Sequence, residues 1–184
     1  MSDSTGLSLN HFQLFELPVS FGIDLMQLTE RYRDLQRAVH PDRYANASDQ
    51  ERRLAMQRTA QLNEAFQVLK QPLSRARYML ELQGVDFNDE RDTQQDPMFL
   101  MEQMELRESL EEIESVTDPL AKITEIMQAI DAREKQLFDE IQSHLTTAGE
   151  QDQKAAKAVV HKLQFMHKLR QEAEDKEAAL MDIL

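Results

Sequence analysis

Cysteine is absent from all 184 residues, which excludes disulfides, thiolate zinc sites and any cysteine-ligated cluster held by this chain. No apolar run approaches the length that spans a bilayer, and the N-terminus lacks a basic stretch followed by an apolar one. Neither a membrane anchor nor a secretory signal is therefore expected, and the cytoplasm is the default location. Only four glycines and few β-branched runs leave little room for a sheet. The chain reads as all-α.

What is present is unevenly spread. Residues 24–78 carry a net +3 and residues 79–184 a net −14, against −13 for the whole chain. A basic segment joined to an acidic half suggests two small domains. It implies an anionic partner for the first, while the acidic remainder argues against nucleic acid.

In the basic segment, residues 25–39 are apolar at Leu28, Tyr32, Leu35 and Val39 and basic at Arg31, Arg33 and Arg37. This spacing predicts an amphipathic helix with a cationic outer face. Pro41 lacks an amide hydrogen and disfavours helical geometry in the residue before it, so the helix should stop at about His40. Asp42 is then presented on an exposed turn. Ser48 or Asp49 can cap a second helix with apolar positions at Leu54, Leu62, Ala65, Phe66 and Leu69. The two helices form an antiparallel hairpin with His40-Pro41-Asp42 at its tip.

This layout resembles the J-domain of DnaJ-type co-chaperones, which carry His-Pro-Asp between their second and third helices. A short helix before it (His11 to Leu17) and one after it, containing Leu-Ser-Arg-Ala-Arg-Tyr at 73–78, complete that four-helix pattern. The resemblance implies that His40, Pro41 and Asp42 contact an HscA/DnaK-class chaperone and stimulate its ATPase. Arg31, Arg33, Arg37 and Arg43 would supply attraction to an acidic groove on that chaperone. Without the resemblance, the arginines are simply a solvated helix face.

Beyond Gly84, a C-cap candidate, residues 85–96 lack helical periodicity and are expected to link the domains. Asp96-Pro97 and Asp118-Pro119 each place a capping residue before a proline at the first helical position. The first opens a helix to about Val116. The second opens a long helix with Leu120, Ile123, Met127, Ile130, Leu137, Ile141 and Leu145 near heptad spacing. After a turn around Thr147 to Glu150, a last helix places Ala155, Val159, Leu163, Met166, Leu169, Ala173 and Leu180 on one side. The expected organisation is a J-domain at 1–84, a linker at 85–96 and a three-helix bundle at 97–184.

The helix from Pro97 has two apolar sides. Phe99, Leu106, Leu110 and Ile113 share one stripe, while Leu100, Met101 and Met104 fall nearly opposite, interleaved with Glu105, Glu108 and Glu112. A bundle buries one side, so the other must meet the first domain or an outside partner. The segment Phe-Leu-Met-Glu-Gln-Met-Glu-Leu-Arg-Glu at 99–108, set after a J-domain, resembles the C-terminal domain of the HscB family, J-type co-chaperones dedicated to iron–sulfur cluster biogenesis. The similarity runs nearly end to end. It implies that Leu100, Met101, Met104, Glu105, Glu108, Glu112 and, from the last helix, Phe165 bind an IscU-type iron–sulfur scaffold. Met104 stands where that family commonly has leucine, and methionine is the more adaptable contact. The cysteine pairs of eukaryotic members are missing, which points to the bacterial form and to carriage of the scaffold rather than of the cluster.

A catalytic reading of His40 with Asp42 lacks a pocket, an orienting partner and a nucleophile, so no enzyme is expected. His144, His161 and His167 do not have the i, i+4 spacing of a helical metal pair. No metal or cofactor is expected, and the chain is expected to act as a monomer. A general protein-folding J-protein would account for the first half alone, and a purely structural adaptor would leave His-Pro-Asp without a role. On the J-domain reading, Asp42→Asn should leave helix content and melting temperature unchanged, because the site is an exposed turn, yet should abolish stimulation of the partner's ATPase. Equal stimulation by variant and wild type in a steady-state ATPase assay would remove the assignment.

Overall fold

The computed structural model describes residues 9–40, 47–87, 96–146 and 149–183, and all regular secondary structure among them is helical. The chain divides into two compact units, Met1–Leu82 and Gln83–Leu184.

The first unit contains α1 (His11–Leu14), α2 (Leu25–Val39), α3 (Asp49–Lys70) and α4 (Pro72–Leu82). Each start has a local cause. Asn10 and Gln13 form a reciprocal capping box at α1, Asp24 accepts from the Met26 and Gln27 amides at α2, and Ser48 forms a capping box with Glu51 at α3. Helices α2 and α3 run antiparallel. Tyr32 stacks on Phe66 with ring centroids 4.1 Å apart and donates from its hydroxyl to Asn63 Oδ1 at 2.9 Å, while Thr59 Oγ1 donates to the Val39 carbonyl at 3.3 Å.

The buried stripe of α3 is Ala55, Leu62, Ala65, Phe66 and Leu69. Leu54, expected in the core, is exposed, because the stripe in register with Leu62 and Phe66 runs through Ala55, about 100° away. The short helix also ends earlier than expected, at Leu14, although Phe15 and Leu17 are buried.

Arg75 ties α4 to α3. Its side chain is only 7% exposed, donates from Nη1 to the Leu69 carbonyl at 2.5 Å and lies over the Phe21 ring at 5.1 Å. The last carbonyls of α3 lack intrahelical partners and carry the negative end of the helix dipole, so a cation is favoured there. Burial pulls the guanidinium pKa down from its ordinary value.

In the second unit, α5 (Pro97–Glu111) passes into a 3-10 turn at Glu112–Ser115, followed by α6 (Pro119–Thr146) and α7 (Glu150–Ile183). Asp118 Oδ1 accepts from the Ala121 amide at 3.0 Å, so both Asp-Pro starts lie where the sequence placed them. The first of these helices stops being α-helical at Glu111 rather than at about Val116. The tighter turn puts Ile113 fully inside the core. Helices α6 and α7 are antiparallel: His144 meets Asp152 at 3.3 Å near their connection, and Arg170 pairs with Asp131 and Glu134 further along. Their shared core holds Ile123, Ile126, Ile130, Leu137 and Ile141 against Ala156, Val159, Val160, Leu163, Met166, Leu169 and Ala173, and Phe99 and Leu110 of α5 complete it. Leu106 and Ala155, expected inside, are only half-buried.

Tyr78 anchors the N-terminal helix. Its hydroxyl accepts from the His11 amide at 2.9 Å, and its ring stacks on His11 at 4.2 Å. Tyr78→Phe keeps the stack and removes the acceptor, so urea unfolding of the variant should show a loss of about 0.5–1.5 kcal/mol. An unchanged midpoint would show that water replaces the hydroxyl at no cost.

Candidate functional site

Two exposed helical faces, one in each unit, carry most of the described residues that the sequence singles out. On α2 the buried stripe is centred on Leu28. Arg33 and Arg37, an i, i+4 pair, point away from it and share their side with Met26, Thr29, Glu30 and Asp34. Arg37 pairs with Asp34 and also donates to the Arg33 carbonyl at 3.4 Å. Arg31 does not join them. It flanks the buried stripe, a third of a turn or more from both Arg33 and Arg37, and pairs with Glu16 in the segment after α1. The outer face of α2 is thus mixed in charge and includes Met26, which is 81% exposed and which the charge pattern did not single out. His40 caps the helix and is exposed, its backbone already extended at φ −57° and ψ 130°. Pro41, Asp42 and Arg43 lie outside the described residues.

On α5 the two-sided pattern is realised except at Leu106, which is only half-buried. Phe99 and Leu110 face the bundle, while Leu100, Met101 and Met104 are 56%, 58% and 64% exposed. Leu100, Met104 and Arg107 follow one another at i, i+4, i+7, and Met101, Glu105, Glu108 and Glu112 form the adjacent row. All these glutamates are exposed. Phe165, half-buried on α7, borders the face. Its ring meets Phe99 edge-on at 5.8 Å and 83° and has the Arg107 guanidinium 5.5 Å from its centroid. The other border is a groove between α5 and α6 lined by Glu102, Glu105, Leu106, Ser109, Glu125 and Ile126.

Cross-helix ion pairs fix α5 in this attitude. Arg133 of α6 pairs with Glu102 at 2.9 Å, and Lys162 of α7 donates to Asp96 at 2.6 Å. Asp96 also caps α5 by accepting from the Met98 and Phe99 amides at 3.1 and 3.2 Å. The segment before α5 is tied to α7 as well. The Lys157 ammonium donates to the Asp86 carbonyl at 2.6 Å, and Phe87 packs on His161. Of the segment assigned to a linker, residues 88–95 lie outside the described residues. Among the described residues no group of three or more histidine or acidic side chains could hold a metal ion, and no helix is long and apolar enough to cross a membrane.

Comparison with known proteins adds independent information. A model of the HSCB C-terminal oligomerisation domain matches residues 95–174, and a DnaJ domain model matches residues 10–78. A "Co-chaperone protein HscB homolog" from Shewanella halifaxensis is 47% identical over 174 residues, covering 95% of this chain and 100% of the relative. Its counterpart from Shewanella amazonensis is 46% identical over the same coverage. Among solved structures, chaperone HscB from Vibrio cholerae superposes with a TM-score of 0.84 at 41% identity, covering 94% of this chain and 99% of that one. Human co-chaperone protein HscB gives a TM-score of 0.84 at 29% identity, covering 96% and 84%.

The Asp96–Lys162 pair makes the seating of α5 pH-dependent. The Lys162 hydrogen bond, followed by the Phe99 amide, holds the Asp96 carboxyl below its ordinary 3.8. A carboxyl with a depressed folded-state pKa stabilises the fold above its unfolded value and loses that contribution as pH falls through the folded value. Asn still caps a helix but carries no charge. Asp96→Asn should therefore melt below wild type at neutral pH, with the gap closing once the pH drops under 3.8. Thermal melts over that range test this, and a gap that persists unchanged into acid contradicts it.

Proposed function

The chain belongs to the HscB co-chaperone family, and we propose that its two exposed helical faces are two separate protein-binding surfaces. It is a J-domain co-chaperone of iron–sulfur cluster biogenesis working with an HscA-type chaperone and an IscU-type scaffold. In the proposed division of labour, the first unit meets the chaperone through His40, Pro41 and Asp42, with Arg31, Arg33, Arg37 and Arg43 drawing it toward an acidic surface. Asp42 supplies the essential charge that promotes hydrolysis of the chaperone's ATP. In this proposal Arg33 and Arg37 lead the encounter from the outer side of α2, Arg37 sharing its charge with Asp34 and Arg31 sharing its own with Glu16. Attraction between surface charges is screened by salt, so stimulation weakens as ionic strength rises.

The second unit takes the scaffold on Leu100, Met101, Met104, Glu105, Glu108, Glu112 and Phe165. An apolar centre with an acidic rim suits a partner with an apolar centre and a basic rim. The observation that carries this assignment is the exposure of Leu100, Met101 and Met104 on a helix whose opposite side buries Phe99 and Leu110. In this reading the chain is a cytoplasmic monomer with no catalytic residue, cofactor or metal of its own. It brings the scaffold to the chaperone and leaves the cluster to others. A general protein-folding role would more usually bring a Gly/Phe-rich linker or a zinc ribbon, and the sequence has neither.

Truncating a central apolar anchor to alanine costs about 1 to 3 kcal/mol at a small interface, so the Leu100/Met101/Met104 triple alanine variant should bind the scaffold more weakly by orders of magnitude in calorimetric titration. Basal stimulation of the chaperone ATPase should survive, and only the increment added by the scaffold should vanish. If instead the face packs within the chain, the variant loses thermal stability through new cavities and keeps its scaffold affinity. That outcome would overturn the site.

A further inference from the structure

Between Pro97 and Ser115 the sequence holds six glutamates and a single cation, Arg107. Arg107 lies in the same row as Leu100 and Met104, on the face assigned to a partner with a basic rim. A positive charge there opposes the complementarity of the glutamates around it, which sets Arg107 apart from the rest of the face. Its geometry supplies a separate role. The guanidinium sits 5.5 Å from the centroid of the Phe165 ring, while Phe99 meets that ring at 5.8 Å. Glu172, a neighbour of Phe165 on α7, lies 3.8 Å from Arg107 Nη2 and faces the guanidinium from the other helix. Phe165 is thus gripped by two side chains of α5, one buried and one exposed.

We propose that Arg107 is a positioning residue for scaffold binding, clamping Phe165 at the border of the α5 face so that the ring is already in place when the scaffold arrives. The proposal rests on the docking role assigned to Phe165 above. An aromatic ring at a half-buried border has more than one staggered position open to it, and holding it in the binding position before contact removes an ordering cost from association. A flat, delocalised cation can cover a ring face in a way that an ammonium does less well, and Glu172 spends part of its charge within the chain instead of on the partner. The net contribution of Arg107 to affinity therefore passes through Phe165.

A double-mutant cycle in the full chain, read by calorimetric titration with an IscU-type scaffold, tests this. Arg107→Ala should weaken binding roughly two- to fivefold, the range for an exposed cation–ring contact, and Arg107→Lys should lie between it and wild type. In a Phe165→Ala background the same Arg107→Ala change should have no effect, because there is no ring left to position. The side-chain NMR signals of Phe165 should move in Arg107→Ala while the melting temperature stays put. Equal losses in both backgrounds would show that Arg107 touches the scaffold directly and would overturn the clamp. If Phe165→Ala weakens binding and Arg107→Ala does not, the clamp falls and the docking surface stands. Full affinity in Phe165→Ala would overturn both the docking role of Phe165 and the clamp built on it.

Discussion

One helix with more apolar surface than its bundle can cover sets the terms for the rest of the second unit. The long helices α6 and α7 pack along their lengths, and the much shorter α5 lies against the pair with Phe99 and Leu110. A helix in that position presents one side to its neighbours and the other to solvent. Leu100, Met101 and Met104 therefore stay outside whatever the details of packing. Their exposure follows from a local sequence pattern rather than from a loose fold, since every large side chain on the opposite stripe except Leu106 is fully buried. Ion pairs from both neighbours, Lys162 to Asp96 and Arg133 to Glu102, hold the helix to that orientation.

The two units answer different electrostatic demands. Residues 24–78 carry +3 and residues 79–184 carry −14, so the two units differ in net charge although the outer face of α2 is itself mixed. In the first unit the hairpin is braced at its base by Tyr78 on α1 and by Arg75 under the end of α3. Both belong to the Arg-Ala-x-Tyr segment that supported the J-domain resemblance, and both act by satisfying backbone groups that helix ends leave without partners. That segment acts on the fold, whereas His-Pro-Asp carries the proposed contact with the chaperone.

Much of this was legible in the sequence because its signals are local. A cap at Ser48 or Asp49 and the two Asp-Pro pairs placed helix starts at Asp49, Pro97 and Pro119, and periodicity outlined α2 and picked the two sides of α5. Failures came where the third dimension decides between neighbours. Leu54 is the larger side chain, but Ala55 has the register that faces the core. The burial of Arg75 beneath a helix C-terminus has no signal in the sequence, because it depends on how α4 folds back. Arg31, Arg33 and Arg37 read as one cationic face, yet helical geometry sends Arg31 to Glu16 on another side. The contact of Arg107 with Phe165 spans two helices, and no spacing rule within either one reports it.

On the proposed assignment the α5 face, and no other exposed apolar surface among the described residues, receives the scaffold. The methionines provide the direct test, because Met101 and Met104 lie on that face while Met26, Met56 and Met181 are comparably exposed elsewhere. Methyl NMR of the full chain labelled at methionine, titrated with an IscU-type scaffold, reads all five at once. The account predicts that the Met101 and Met104 signals shift to saturation together while those of Met26, Met56 and Met181 stay in place. Saturable shifts at Met26, Met56 or Met181 with Met101 and Met104 unmoved would contradict it.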